Sequence, residues 1–310
     1  MSVLGLSRYR YPRRRKRRWR TGAVTIGLAA VAGRRRVQGR GTGREAIVLM
    51  SDREYDWGDG LKAVSPIRKL RGLLQRTGKG RAGWFTLYTA DDTAQTHRVV
   101  DLFRELARDR LERDVLKGNV PTARAVYLLA EKSYAAARKE WRAAQGHLPR
   151  SDQDEFAPGH LICGYDGDRV PAIYSLDKDG VARSQHESGY SAVGIAENVA
   201  RERLQWLDLQ PTDPLPKVLY ACYDAKRRAE GFVGVSKPFY AWVLVLGREQ
   251  PVRVPPAVLG QMRAIYDALY RSTRPFLSRQ QRAPSPADWR RLEARVTGWF
   301  GDGAPGRPRG

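Results

Sequence analysis

Two apolar runs of strand length, joined by a Gly- and Arg-rich link, constrain this chain more than any other feature. Residues 23–33 read AVTIGLAAVAG, residues 46–53 read AIVLMSDR, and RRRVQGRGTGRE lies between them. A run, a glycine-rich turn and a second run predict a β-hairpin. The second run ends in Ser51, Asp52 and Arg53. Charged groups at the end of a buried strand cost free energy unless they are paired or used, so we expect an ion pair or a functional site there.

The positive charge is concentrated ahead of and within this hairpin. Of the 56 Lys and Arg residues, fourteen lie in residues 1–44, which contain no Asp or Glu. Residues 1–22 therefore form a basic arm, which we expect to be disordered or untranslated. An arm of residues 1–20 with interleaved Tyr and Trp is also typical of nucleic-acid contact through phosphates and stacking. A third interpretation is a signal peptide, since a basic run precedes a short apolar one, but its cleavage would remove a core strand.

Few residues here suggest a metal or a cofactor. The two cysteines, Cys163 and Cys222, lie in apolar context, and the four histidines are scattered without ligand spacing. We therefore predict no cofactor, no metal site and a reducing, cytoplasmic environment. No run reaches the eighteen or so apolar residues of a membrane span.

The remaining chain alternates blocks of strands with pairs of helices. Strands are predicted over residues 67–74, 84–88, 160–166, 170–176, 181–193 and 241–246, and helices over 95–116, 122–145, 196–207, 216–230, 256–270 and 286–299. Strand blocks separated by helix pairs predict an α+β fold with helices on both faces of stacked sheets. The boundaries place one domain at residues 23–248 and a C-terminal helical extension with a Gly/Pro/Arg tail at 249–310.

Several short motifs, in order, resemble one family. They are Thr25-Ile26-Gly27, Ser51-Asp52-Arg53, Lys69-Leu70, then HLICGYD, AIYSLDKDG and GYSAVG, and finally YDAKRRAEGFVGVSKPFYAWVLV. The set is similar to proteasome β-subunits and their small bacterial relatives, which are N-terminal-nucleophile hydrolases. The resemblance implies a four-layer αββα sandwich, a homo-oligomeric assembly in a bacterial cytoplasm, and cleavage of peptide or amide bonds in a peptide or protein substrate.

The resemblance also assigns roles to five residues. Thr25 would be the nucleophile, with its own α-amine as general base. Asp52 would orient Lys69, Arg53 would complete the charge network, and Glu230 would support the amine. Lysine suits its position because its pKa shifts on burial, whereas arginine stays charged.

Alternatives remain at these positions. A one-residue slip would put Arg68 in place of Lys69, and the whole set could be a buried ion-pair network that only fixes the hairpin. The sequence also departs from the family: Ile195 follows Gly194 where a serine is usual, and Thr89 leads the turn that would supply an oxyanion donor. These departures are typical of a catalytically inactive scaffold or assembly protein, which is the second functional hypothesis.

The start of the chain bears on catalysis because Thr25 needs a free amine. No Gly-Thr processing junction precedes it, since Val24 does. We expect translation to begin at a valine codon for Val24, read as methionine and then removed.

Overall fold

A computed structural model describes most of the chain. The described residues are 26–34, 36–37, 40–41, 45–52, 55–56, 62–63, 69–74, 83–89, 93–116, 121–149, 155–232, 235, 237–246, 248, 250–271 and 284–301. The predicted basic arm, residues 1–22, lies outside this part of the chain. So do Thr25, Arg53 and Arg68.

Strands in the described residues run antiparallel in every pairing. They are β1 (Ile26–Ala32), β2 (Arg36–Val37), β3 (Arg40–Gly41), β4 (Ala46–Asp52), β5 (Tyr55–Asp56), β6 (Lys62–Ala63), β7 (Leu70–Leu74), β8 (Trp84–Thr89), β9 (Gly159–Tyr165), β10 (Pro171–Leu176), β11 (Ala182–Ser184), β12 (Tyr190–Gly194), β13 (Phe239–Val245) and β14 (Val252–Arg253). One sheet has the order β12-β1-β4-β13-β14 and a second has β11-β10-β9-β8-β7. Two small hairpins, β2-β3 and β5-β6, stand apart from both sheets.

Six helices occur in the described residues. They are α1 (Thr93–Leu116), α2 (Ala123–Ala144), α3 (Glu197–Trp206), α4 (Leu215–Ala229), α5 (Pro256–Arg271) and α6 (Pro286–Gly301). Thr122 caps α2, because its side chain accepts a hydrogen bond from the Ala125 N–H at 3.2 Å. Two antiparallel sheets with these helices confirm the predicted α+β class.

The two long apolar runs form the predicted hairpin. β1 and β4 pair antiparallel, from Gly27 opposite Ser51 to Ala32 opposite Ala46, and every residue of both strands is buried. Both faces are covered, so the strands are continuously apolar rather than alternating. One face meets α3, α4, α5 and α6, and the other meets side chains of the second sheet.

Each sheet has its own helical partner. Residues of α1 and α2 share a core with β8, β9 and β10 of the second sheet. The C-terminal helices contribute Val258, Met262, Ile265, Leu292 and Val296 to the core of the first sheet. The extension therefore packs onto the domain rather than projecting from it. Among the helices described, none is long and apolar enough to cross a bilayer.

One predicted strand is wrong. The sequence predicted a single strand over residues 181–193, whereas the chain forms β11 in the second sheet and β12 in the first. The physical reason lies in the polar residues between them. Gly189 adopts φ 69°, and its N–H donates to the Gln185 carbonyl at 2.8 Å. A backbone conformation that favours glycine turns the chain from one sheet to the other.

Candidate active site

The predicted strand end is a buried, charged position. Asp52 is the last residue of β4, is fully buried, and lies opposite Phe239 of β13. The apolar run ends here because the strand reaches the edge of the inter-sheet core. Ser51, one residue earlier, is opposite Gly27 and Tyr240 and is also fully buried.

Asp52 forms a salt bridge to the second sheet. Its Oδ1 accepts a hydrogen bond from the Lys69 ammonium group, and Lys69 directly precedes β7. The Lys69 side chain is 2% exposed, so the pair is closed to solvent. Burial raises the pKa of Asp52, and the Lys69 cation opposes that rise. Burial lowers the pKa of Lys69, and the Asp52 carboxylate opposes that fall. A lysine whose pKa is lowered by burial gives up its proton more readily than a lysine in water.

The same carboxylate oxygen reaches the first residue of β1. The Ile26 N–H donates to Asp52 Oδ1 at 3.3 Å. Ile26 directly follows Thr25 in the sequence. The bond therefore ties Asp52 and Lys69 to the residue after the predicted nucleophile, while Thr25 itself and Arg53 are outside the described residues.

The close approach of the two sheets at this end depends on a glycine. A Cβ built on Gly27 would lie 3.2 Å from the Leu87 side chain and 3.3 Å from that of Val193. A larger residue would require the Leu87 side chain of the second sheet, or that of Val193 in the neighbouring strand, to move by a few tenths of an ångström. The Thr25-Ile26-Gly27 motif therefore has a packing reason at its third position.

Glu230 does not bond to Asp52 or Lys69 in the described structure. It follows α4, is largely buried, accepts a hydrogen bond from the Lys226 ammonium and forms a salt bridge with the Arg227 guanidinium at 2.6 Å. Lys226 is fully buried and also donates to the Lys237 carbonyl at 2.9 Å. Its positive charge, like that of Lys69, opposes the rise that burial causes in the pKa of Asp52. Glu230 is thus linked to Asp52 through Lys226.

Sequence reasoning missed Lys226. A signal was present, because Val218, Cys222 and Lys226 follow one another at four-residue spacing along the buried face of α4. A lysine on an apolar stripe is costly unless it has a partner. The Glu230 four residues later supplies one.

Some buried polar capacity at this end is unused. Asp52 Oδ2 and Ser51 Oγ are buried and have no hydrogen-bond partner among the residues that the structure describes. Buried polar atoms are nearly always satisfied in native proteins. These two atoms leave hydrogen-bonding capacity beside the ion pair that a bound group could use.

The two departures from the expected motif lie at the same end. Gly194 adopts φ 109° and is opposite Ile26, and the Ile195 that follows it is 60% exposed. Thr89 is the buried last residue of β8. A cavity of about 240 Å³ lies instead at the far end of β1, beside Val31 and Arg34. Within the described chain, no group of three or more His, Cys, Asp or Glu side chains is placed to hold a metal ion.

The fold has known relatives among solved structures. The helical assembly of the Anbu complex from Pseudomonas aeruginosa has a TM-score of 0.55 and 18% identity, over 81% of this chain and 98% of that one. Anbu (ancestral beta-subunit) from Yersinia bercovieri has a TM-score of 0.58 and 13% identity, over 82% and 100%. The Gly-1 mutant of Anbu from Hyphomicrobium sp. strain MC1 has 0.56 and 15%, again over 82% and 100%.

The chain shares its fold with the Anbu proteins. No protein-family profile matches the sequence, and no curated protein sequence does. The identification as a proteasome β-subunit or one of its small bacterial relatives is therefore wrong, because the similar structures are Anbu proteins and their identity is too low to show more than a fold. The coarser expectation of a proteasome-like fold is confirmed through Anbu.

Proposed function

We propose that this protein is a threonine-nucleophile hydrolase that cleaves peptide or amide bonds on an Anbu-like fold. One observation carries the proposal. A fully buried Asp52 pairs with a buried Lys69 and also accepts the N–H of Ile26, the residue after Thr25. A carboxylate, a lysine and a hydroxyl-bearing residue at a strand start are the groups that such chemistry requires.

The proposed reaction conserves atoms and charge. The Thr25 hydroxyl oxygen attacks the carbonyl carbon, and its proton passes to the free Thr25 α-amine, whose ordinary pKa lies near 8. That proton is then delivered to the leaving amine as the amide C–N bond breaks. The resulting ester is hydrolysed by water, which restores the hydroxyl group.

The remaining residues act on this centre. The Lys69 cation stabilises negative charge that develops near the hydroxyl, and Asp52 holds Lys69 in place. Arg53, next in sequence to Asp52, completes the charge network, and Glu230 acts through Lys226. The proposal requires that Thr25 begin the mature chain, because only a terminal amine can accept the proton.

The architecture proposed for this function has four layers. The three cores support the order α1-α2, second sheet, first sheet, then α3-α4, with α5 and α6 on α4. We infer one hydrolase domain at residues 23–248 with the helices of 249–310 as its extension. The free, buried Cys163 and Cys222 support a reducing cytoplasm.

Self-assembly is part of the proposal. The Pseudomonas aeruginosa Anbu complex is described as a helical assembly, and a shared fold supports a homo-oligomer here. Light scattering at micromolar concentration tests this: we expect a mass several times that of one 35.0 kDa chain. A strict monomer would contradict it.

The catalytic claim is tested by turnover of a fluorogenic peptide-amide library. We expect Thr25→Ala to abolish hydrolysis, and Lys69→Met to reduce kcat/KM by at least about a hundredfold, since each removes a group that acts in the transition state. Lys217→Met is the matched control, because Lys217 lies in the first turn of α4, is 35% exposed and pairs with Asp213 rather than with Asp52 or Glu230. Equal activity in wild type and Thr25→Ala would overturn the proposal.

A non-catalytic scaffold is the second candidate. The exposed Ile195 after Gly194, where a serine was expected, favours it. A scaffold predicts that Thr25→Ala changes neither hydrolysis nor assembly. The nucleic-acid hypothesis stays a prediction: binding would depend strongly on salt and would be lost on deletion of residues 1–20.

A further inference from the structure

A second buried ion pair lies behind the first. Lys226 and Glu230 are bonded to each other, with side chains 0% and 7% exposed. Lys226 lies in α4 and Glu230 follows that helix, outside the sheet that carries Asp52. The Lys226 side chain is nevertheless fully buried. Burying an ammonium group costs free energy unless the group is paired and hydrogen-bonded.

Several bonds fix the Lys226 ammonium group at the start of β13. It donates to the Lys237 carbonyl, two residues before Phe239, and lies 5.2 Å from the centroid of the Phe239 ring. Phe239 is the residue directly opposite Asp52 in the sheet. Lys226 is therefore anchored beside the cross-strand neighbour of Asp52.

Charge connects the two pairs. Asp52 raises the pKa of Lys226, and Lys226 lowers that of Asp52, although burial acts against each. The described charged groups that face this region are Lys69 before β7, Lys226, Arg227 and Glu230 at the end of α4, and Asp52 on β4.

We propose that Lys226 is a positioning residue for the Asp52–Lys69 pair: a second cation behind Asp52, held by Glu230 and the Lys237 carbonyl. This inference rests on the proposed hydrolase function for its consequence, but not for its geometry.

The consequence concerns where a proton resides. A buried Asp–Lys pair can neutralise itself by passing the ammonium proton to the carboxylate, which would leave both groups uncharged. A second fixed cation near Asp52 disfavours that transfer, because it stabilises the ionised carboxylate. Asp52 then stays anionic, and Lys69 keeps the orientation that its bond to Asp52 provides.

The test reads the Asp52 carboxyl group directly, in protein labelled with ¹³C at aspartate. The resonance is assigned by its loss in Asp52→Asn, and its titration is followed by NMR. We expect Lys226→Met to move the Asp52 titration upward by about one pH unit, since a neighbouring opposite charge is lost. Lys226→Arg, which keeps the cation, should restore the wild-type titration. Lys217→Met, in the first turn of α4, should leave it unchanged.

A second variant covers the case in which Lys226→Met does not fold. Glu230→Gln removes the counter-anion of Lys226, so the cation acts on Asp52 unopposed and the titration should move downward. An Asp52 titration that is the same in wild type, Lys226→Met and Glu230→Gln would overturn the inference, and so would an unmoved titration in whichever variant folds.

Activity gives the separate readout. Where the enzyme turns over substrate, kcat/KM at pH values where Asp52 takes up a proton should fall further below wild type in Lys226→Met than in Lys226→Arg, in addition to the loss that protonation of the Thr25 α-amine causes in all three proteins. A protein with no hydrolysis at all but with the expected NMR shifts would defeat the proposed function and leave the positioning role supported.

Discussion

Helix α4 carries two buried charges two residues apart, and they belong to very different surroundings. Asp224 faces other helices. Its Oδ2 accepts from the Arg203 guanidinium at 2.6 Å and from the Tyr270 hydroxyl at 3.1 Å, and its Oδ1 lies 4.0 Å from Arg228. Both carboxylate oxygens have partners. This cluster joins α3, α4 and α5, and we interpret it as structural.

Lys226 faces the strand ends instead. Its cluster leads through Phe239 to Asp52, where Oδ2 and the nearby Ser51 Oγ have no described partner. Burial is nearly complete in both clusters, so burial alone does not distinguish a site from a structural network. The difference lies in the carboxylate: both oxygens of Asp224 have partners, whereas Oδ2 of Asp52 has none among the described residues. The cation also differs: an arginine pairs with Asp224 in the helical cluster, whereas a lysine, which can lose a proton, pairs with Asp52 at the strand end.

The largest expected effect is in the helical cluster. Asp224→Ala leaves Arg203, whose side chain is 10% exposed, without its counter-ion. Removing one partner of a buried pair costs about 3–5 kcal/mol in the free energy of unfolding. Because arginine cannot deprotonate, the loss relative to wild type should stay constant between pH 7 and pH 10. Urea denaturation at both pH values measures it, and a cost below about 1 kcal/mol would mean that the cluster is not structural.

Asp52→Ala should cost about 3 kcal/mol at pH 7, the lower end of the same range, and less at higher pH. The variant leaves Lys69 buried without its carboxylate, so its folded pKa falls further below the unfolded value. At pH values between the folded and the unfolded pKa of Lys69, the unfolded chain binds more protons than the folded one. The stability of the variant therefore rises with pH until about pH 10. If the cost of Asp52→Ala did not change with pH, the expected difference from Asp224→Ala would be contradicted.

A smaller effect at pH 5, about 2 kcal/mol, comes from a buried group outside both clusters. His160 of β9 is 1% exposed, contacts Thr86 Oγ1 through Nδ1 at 3.1 Å, and has no described partner for Nε2. Burial lowers its pKa to about 3. The unfolded chain therefore takes up a proton first, and stability falls by about 1.4 kcal/mol per unit as pH drops below about 6.5.

This acid sensitivity separates His160 from Asp52. The pKa of the Asp52 carboxyl group is raised in the folded state, so the folded state binds that proton more readily than the unfolded chain does. This group therefore increases the free energy of unfolding as pH falls, whereas His160 decreases it. We expect His160→Gln to remove most of the slope in denaturation midpoints between pH 6 and pH 4. Persistence of the slope in His160→Gln would assign it to other groups.

The smallest effect is expected at an exposed pair. Arg98 of α1 and Glu140 of α2 bond at 2.6 Å, but their side chains are 42% and 49% exposed. Solvent screens such pairs, so Arg98→Ala should change the free energy of unfolding by less than about 1 kcal/mol. A cost comparable to that of Asp224→Ala would show that burial does not determine how much an ion pair contributes to the free energy of unfolding in this protein.

Local patterns predicted much of the fold. The hairpin of β1 and β4, the helix pair α1-α2 and the order of the elements follow from periodicity and turn residues. The division of residues 181–193 between two sheets did not, because pairing partners are set by distant strands. The wrong family identification has a related cause. Short motifs at strand ends and turns indicate a fold, but different proteins of one fold share them, so they do not identify the family.

The site was predicted in part. The resemblance paired Asp52 with Lys69, and the structure brings those two together; their catalytic roles stay a prediction. Lys226 was missed because its relation to Asp52 depends on how α4 lies against β4 and β13, which no local pattern gives. The Asp224 cluster was missed for the same reason.

The most direct test of the central claim combines N-terminal sequencing with intact mass after treatment with a hydroxyl-acylating electrophile, such as a β-lactone. We predict that the natively expressed chain begins at Thr25 and gains the mass of one probe, on Thr25, and that Thr25→Ala gains none. A mature chain that still carries residues 13–20, or one that begins at Thr25 and takes up no probe, would contradict it.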